Sequence, residues 1–177
     1  MKKRILLLFT ISILLSCGSG KSFQSFFNQH KKEIGVTAFQ VPNFMRSVLS
    51  TISPEIGSLF QNVKDFKFIT FSEISSQKQT ELINEMNAVT ATNFTDILRK
   101  NTIEKTKIIS VKENGNVVTQ AIIFNSTLAK TSVFYLKGRF DPNKIKELSE
   151  TNQFEKLSNG LIQNYQPSLV PPFNPNN

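Results

Sequence analysis

The chain has 177 residues, a formal net charge of +8, one cysteine, one histidine, no tryptophan and sixteen phenylalanines. That length suits one ordinary domain with its own core. A lone cysteine excludes an intrachain disulfide, a lone histidine removes the commonest zinc sites, and missing tryptophan argues against a carbohydrate-binding surface.

In chain order, Met1-Lys2-Lys3-Arg4 is followed by an apolar run, Ile5 to Leu15, that is too short for a spanning helix. The run ends in Leu14-Leu15-Ser16-Cys17. A cationic start, a short apolar core and a small residue at its end make an export signal. Ending on cysteine, it resembles the lipobox of bacterial lipoproteins. Residues 1–16 are expected to be removed at the Ser16–Cys17 bond, and the Cys17 thiol to carry a diacylglyceryl group, with palmitate among its acyl chains. Two or three chains anchor a protein far more firmly than one. Gly18 stands where an aspartate would resemble the inner-membrane retention signal, so the expected place is the periplasmic face of the outer membrane. Removing Lys2, Lys3 and Arg4 leaves 18 basic against 13 acidic residues, or +5. The pairs Lys31/Lys32, Lys105/Lys107 and Lys137/Arg139 are scattered and read as solvated faces. An exported protein meets no nucleic acid, so the excess suits anionic headgroups or an acidic partner.

Residues 17–22 form the lipidated cysteine and its tether, and 23–165 are expected to fold as a single domain. Phe23, Phe26, Phe27 and His30 recur at helical spacing behind Ser22, a suitable cap, with Gly35 to end the helix. Val36 to Val41 is a first strand closed by Pro42. Asn43 then caps a second helix bearing Phe44, Val48, Leu49 and Ile52, and Ser53-Pro54 starts a segment with Ile56, Leu59 and Phe60. Alternation from Phe66 to Phe71 predicts a strand. Ser76 to Gln79 has the form of a capping box before a helix carrying Leu82, Ile83, Met86 and Val89. Four β-rich runs follow, 94–99, 107–112, 117–124 and 132–139, with Asn114-Gly115 suited to a type I′ hairpin turn. Asp141-Pro142 caps a final helix with Ile145 and Leu148 that is expected to close the fold. Residues 166–177 hold four prolines and are expected to be a disordered tail. The predicted class is α+β: a mostly antiparallel sheet with a C-terminal four-strand meander and helices packed on one face.

The segments Phe26-Phe27 through Gly35-Val36-Thr37, Lys67-Phe68-Ile69, Phe94 to Leu98, Lys112 to Gly115 and Leu136 to Asp141 carry a likeness in the order of their elements. Over Phe23 to Leu148 the chain resembles the bacterial lipoprotein family catalogued as domain of unknown function 4252. The resemblance implies no reaction, and it carries no functional residues across.

No catalytic set stands out. His30, one turn beyond Phe26 and Phe27, reads as a helix-edge residue, because a metal needs partners that are missing. Glu81 and Glu85 are one helical turn apart and could share a proton or a cation, but they read as the wet face opposite Leu82 and Met86. Glu147 and Glu150 read the same way. None of the seven glycines builds a phosphate loop. The chain is therefore expected to be no enzyme, with no cofactor and no metal, and to serve as a membrane-anchored envelope protein that contacts another envelope protein. The alternative is a carrier with a Phe-lined cavity for a small apolar ligand.

Overall fold

The computed structural model describes residues 21–42, 56–57, 59 and 62–165. The expected signal, Cys17, the helix expected from Asn43, the expected Ser53 cap, Phe60 and the Pro-rich tail lie outside the described residues. Ile56, Gly57 and Leu59 are helical, as expected, and Ile56 and Leu59 are buried.

Among the described residues six strands form one sheet: β1 (Val36–Gln40), β2 (Val63–Ser72), β3 (Thr95–Asn101), β4 (Lys105–Asn114), β5 (Val117–Thr127) and β6 (Lys130–Phe140). Their order is β1-β2-β6-β5-β4-β3, and every neighbouring pair is antiparallel. Helix α1 (Phe23–His30) precedes β1, α2 (Ser76–Thr90) links β2 to β3, and α3 (Pro142–Glu150) and α4 (Gln153–Tyr165) follow β6. The fold is α+β, and β3 to β6 are the expected meander.

The helices cover both faces of the sheet, which corrects the expectation of one. Successive strand residues point to opposite faces, so continuous runs such as Ile108-Ile109, Ile122-Ile123 and Val133-Phe134 demand cover on each side. Phe68, Ile109, Ile123 and Phe134 pack against Ile145 and Leu148 of α3, Phe154, Leu157 and Leu161 of α4, and Ile56 and Leu59. On the other face Ile69, Phe71, Ile122 and Val133 pack against Phe23, Phe26 and Phe27 of α1 and Leu82, Met86 and Val89 of α2. Of the twelve phenylalanines among the described residues, ten are buried in these two layers, so their aromatic excess is core.

Local chemistry sets the element ends. Ser22 Oγ accepts from the Ser25 amide at 3.1 Å. For α2 the cap is Ser75, one residue before the expected Ser76, and its Oγ accepts from the Lys78 amide at 3.1 Å. Asp141 caps α3 through the Asn143 amide at 2.8 Å, with Pro142 in the first turn. The chain then continues: Asn152 takes a left-handed φ of 58° and α4 begins, so α3 does not close the fold. The β4–β5 turn is Gly115-Asn116, and only Gly115 has positive φ, at 61°. Type I′ needs two such residues, so the turn is not type I′; a glycine at the first central position is the pattern of type II′.

Lys107, expected in water, is buried and holds the α3–α4 corner to β4. Its Nζ donates to the Ser149 carbonyl at 2.6 Å and lies 3.2 Å from Glu155 Oε1. A cation at the last turn of α3 also meets the negative end of that helix. Both sheet edges are short or irregular: β1 has five residues, and β3 carries a register shift between Asp96 and Leu98.

Candidate functional site

The strand directions sort the loops between two ends of the sheet. One end collects the starts of β1 and β6 and the ends of β2, β3 and β5, with the α1–β1 link and the β3–β4 and β5–β6 hairpins. Three large apolar side chains are exposed among the described residues, and all three sit here: Ile34 before β1, Ile103 in the β3–β4 turn and Leu128 in the β5–β6 turn. Neighbouring strands lie about 4.8 Å apart, so these tips span the width of the sheet at intervals of roughly 10 Å.

The opposite end receives the chain at Lys21 and Ser22, and it holds a cavity of about 490 Å³. Its floor is built by register. Asp65 pairs with Lys137, Lys137 with Gln120, and Gln120 with Lys112, giving one row across β2, β6, β5 and β4. One step along, Lys67 pairs with Tyr135. A period of two puts these residues on the face that α1 and α2 cover. Phe23 at the start of α1 stacks on Tyr135 with centroids 4.8 Å apart, and Val89, Thr92, Asn93 and Phe94 close the α2 side. Asn93 takes φ 66° where the chain turns from α2 into β3.

Four lysines, Lys21, Lys67, Lys112 and Lys137, line this cavity against one acid, Asp65. Asp65 is already engaged, accepting from Lys67 Nζ and from Gln40 Nε2 at 2.9 Å. Lys67 is buried, and its Nζ lies 5.4 Å from the centre of the Tyr135 ring, a cation–π contact. Burial first, and then the Asp65 charge, push the Tyr135 hydroxyl up to about 12, so it stays protonated and donates to Gln120 Oε1 at 3.1 Å. Lys21, Lys112 and Lys137 have no carboxylate partner among the described residues. The lysine row was not identified from sequence; period-two spacing of Lys112 and Lys137 on facing strands would have found it only with the register known.

The other expected positions are dispersed. His30 is buried rather than at a solvated edge, between the Phe26 ring at 4.7 Å and the Phe71 ring at 5.4 Å. Its Nδ1 lies 2.7 Å from Glu33 Oε1 and its Nε2 2.7 Å from Glu85 Oε2. Carboxylates only accept, so both bonds form together only with an imidazolium, and the trio ties the end of α1 to the middle of α2. Glu85 is thus half-buried and bonded, not on the wet face; Glu81 is exposed and accepts from Gln77 at 3.2 Å. Glu147 is exposed and paired with Lys144, and Glu150 is exposed. Among the described residues no three metal-ligating side chains converge, and no helix is long and apolar enough to cross a membrane.

Burial raises the Glu33 carboxyl, but the hydrogen bonds from His30 and Lys78 outweigh it and leave the pKa below the ordinary carboxylate value. A carboxylate lowered on folding adds stability that is present above its unfolded pKa and lost as pH falls through the folded one. Unfolding followed by circular dichroism from neutral pH down to pH about 3 should therefore show a smaller acid-side loss in Glu33→Gln than in the parent. Equal losses would show that this contact adds nothing. Glu33 is more than one third exposed, which keeps the effect small.

No curated protein and no solved structure matches this chain. A family model does, over residues 28–148, from the second half of α1 through most of α3. That match covers more than half of the chain, and the protein belongs to the family described as domain of unknown function 4252.

Proposed function

We propose that this is a lipid-anchored protein of the bacterial cell envelope, without catalytic activity, that works by holding a protein partner at the membrane. The observation that carries the reading is the opposition of two ends. The chain enters the folded body at Lys21, beside the lysine-lined cavity, while Ile34, Ile103 and Leu128 stand at the far end of the sheet. Acylated at Cys17, the protein turns its basic end to the bilayer and its apolar tips away from it. Exposed apolar side chains grouped at one end suit an interaction surface, and an anchor at the opposite end favours another protein over lipid as the occupant. Phenylalanines packed into two core layers support this reading over a carrier of apolar ligands.

The test has two arms in the cells that make the protein. Labelled palmitate is expected to enter the parent and not Cys17→Ala; equal labelling overturns the anchor. Crosslinking of the anchored protein is expected to give one reproducible adduct that disappears in I34S/I103S/L128S. An adduct that survives those substitutions, or a monomer at every crosslinker length, overturns the docking surface. The three side chains are exposed, so each change should alter stability by no more than about 0.5 kcal/mol.

A further inference from the structure

Lys21, Lys112 and Lys137 gather at one concavity with no carboxylate partner among the described residues, and the one acid of the described lining is held by Lys67 and Gln40. Like charges focused by low-dielectric walls attract an anion. The walls are Phe23, Val89, Phe94 and the Tyr135 ring, so a cationic rim meets an apolar side. That pairing fits an amphipathic anion better than a bare one. Gln120 accepts from Tyr135, which leaves its amide nitrogen as a donor beside Lys112 and Lys137. A volume of about 490 Å³ lies within the range of small-ligand sites.

We propose that this cavity binds the phosphate of an anionic phospholipid headgroup, with Lys112 and Lys137 as its principal contacts and Lys21 closing the mouth. The choice of a bilayer lipid as the source rests on the lipid-anchor reading. Four residue steps separate Cys17 from Lys21, and an extended chain spans at most about 14 Å over them, so an acylated Cys17 keeps the mouth within reach of headgroups. The site itself is built by β2, β4, β5 and β6 and does not depend on acylation.

The full chain in neutral maltoside micelles is titrated with short-chain phosphatidylglycerol and, separately, with inorganic phosphate, while the amide resonances of Lys112, Gln120 and Lys137 are followed. Saturable shifts with phosphatidylglycerol are expected. A lysine near an anionic lipid surface contributes about fivefold in affinity, so K112Q/K137Q should bind roughly 25-fold more weakly. K31Q/K32Q, which removes the same charge beyond the other end of α1, should bind like the parent. Absence of saturation, or equal weakening in K31Q/K32Q, overturns the site. Displacement of the lipid by inorganic phosphate at comparable concentration overturns the headgroup and assigns a soluble anion. A failed palmitate label leaves this titration unchanged, so the two readings fail separately.

Discussion

Phe134→Ala should lower the free energy of unfolding by about 3–5 kcal/mol, the range for a large aromatic deleted from a core. Phe134 is buried in the middle of the sheet, on β6, with ring centroids 4.8 Å from Phe68, 5.4 Å from Phe154 and 6.1 Å from Phe66. It joins β2 to α4 and is flanked by strands on both sides, so the surrounding backbone has little freedom to close the void. For a domain of this size each kcal/mol moves the thermal midpoint by about 2–4 °C, so the midpoint should fall by roughly 10 °C. Thermal unfolding by circular dichroism measures it. A fall of less than about 3 °C would mean that α4 collapses into the space and is only loosely held.

The second large effect is expected where no side chain exists. At Gly138 an added Cβ would overlap the carbonyl oxygen of Asn62 and come within 2.7 Å of the Phe140 ring. That carbonyl also accepts from the Arg139 amide, beside the register shift of β2 between Val63 and Asp65. The obstacle is backbone at the turn residue that leads into the adjacent strand β2, which cannot step aside as a flexible side chain can. Gly138→Ala should therefore cost about 3 kcal/mol, the upper part of the overpacking range. Gly115→Ala, with open space around its Cβ and only its positive φ to resist it, should cost about 1 kcal/mol. Urea unfolding of the two variants gives the comparison, and equal midpoints would show that β2 and β6 separate freely at this point.

Much of this architecture can be read directly from the residues, and the parts that cannot share a cause. Ser22, Asp141-Pro142 and the apolar spacing of α1 and α2 act within a turn or two of chain, so local chemistry announces them. The four meander strands are equally plain, since their β-branched runs are long and separated by short turns. Helix α4 is hard to read although Phe154, Leu157 and Leu161 keep helical spacing, because polar residues and Gly160 dilute the stripe and its partners lie on strands distant in sequence. The second covered face had a signal, the unbroken apolar pairs such as Ile108-Ile109, that a strict alternation rule passes over. The lysine cavity and the His30 trio are of another kind. Lys112, Lys137 and Lys67 meet through register between strands distant in sequence, and His30 reaches Glu85 across 55 positions.

The two outer strands of the sheet have a consequence of their own. An unpaired ladder invites a neighbouring copy to add a strand, and growth of that kind ends in fibres. Here a visiting strand meets only five residues at β1 and a ladder out of step at Asp96 and Leu98 on β3, where Arg99 and Lys100 add charge. Two copies that meet edge to edge therefore find no long, regular ladder on which to add a strand.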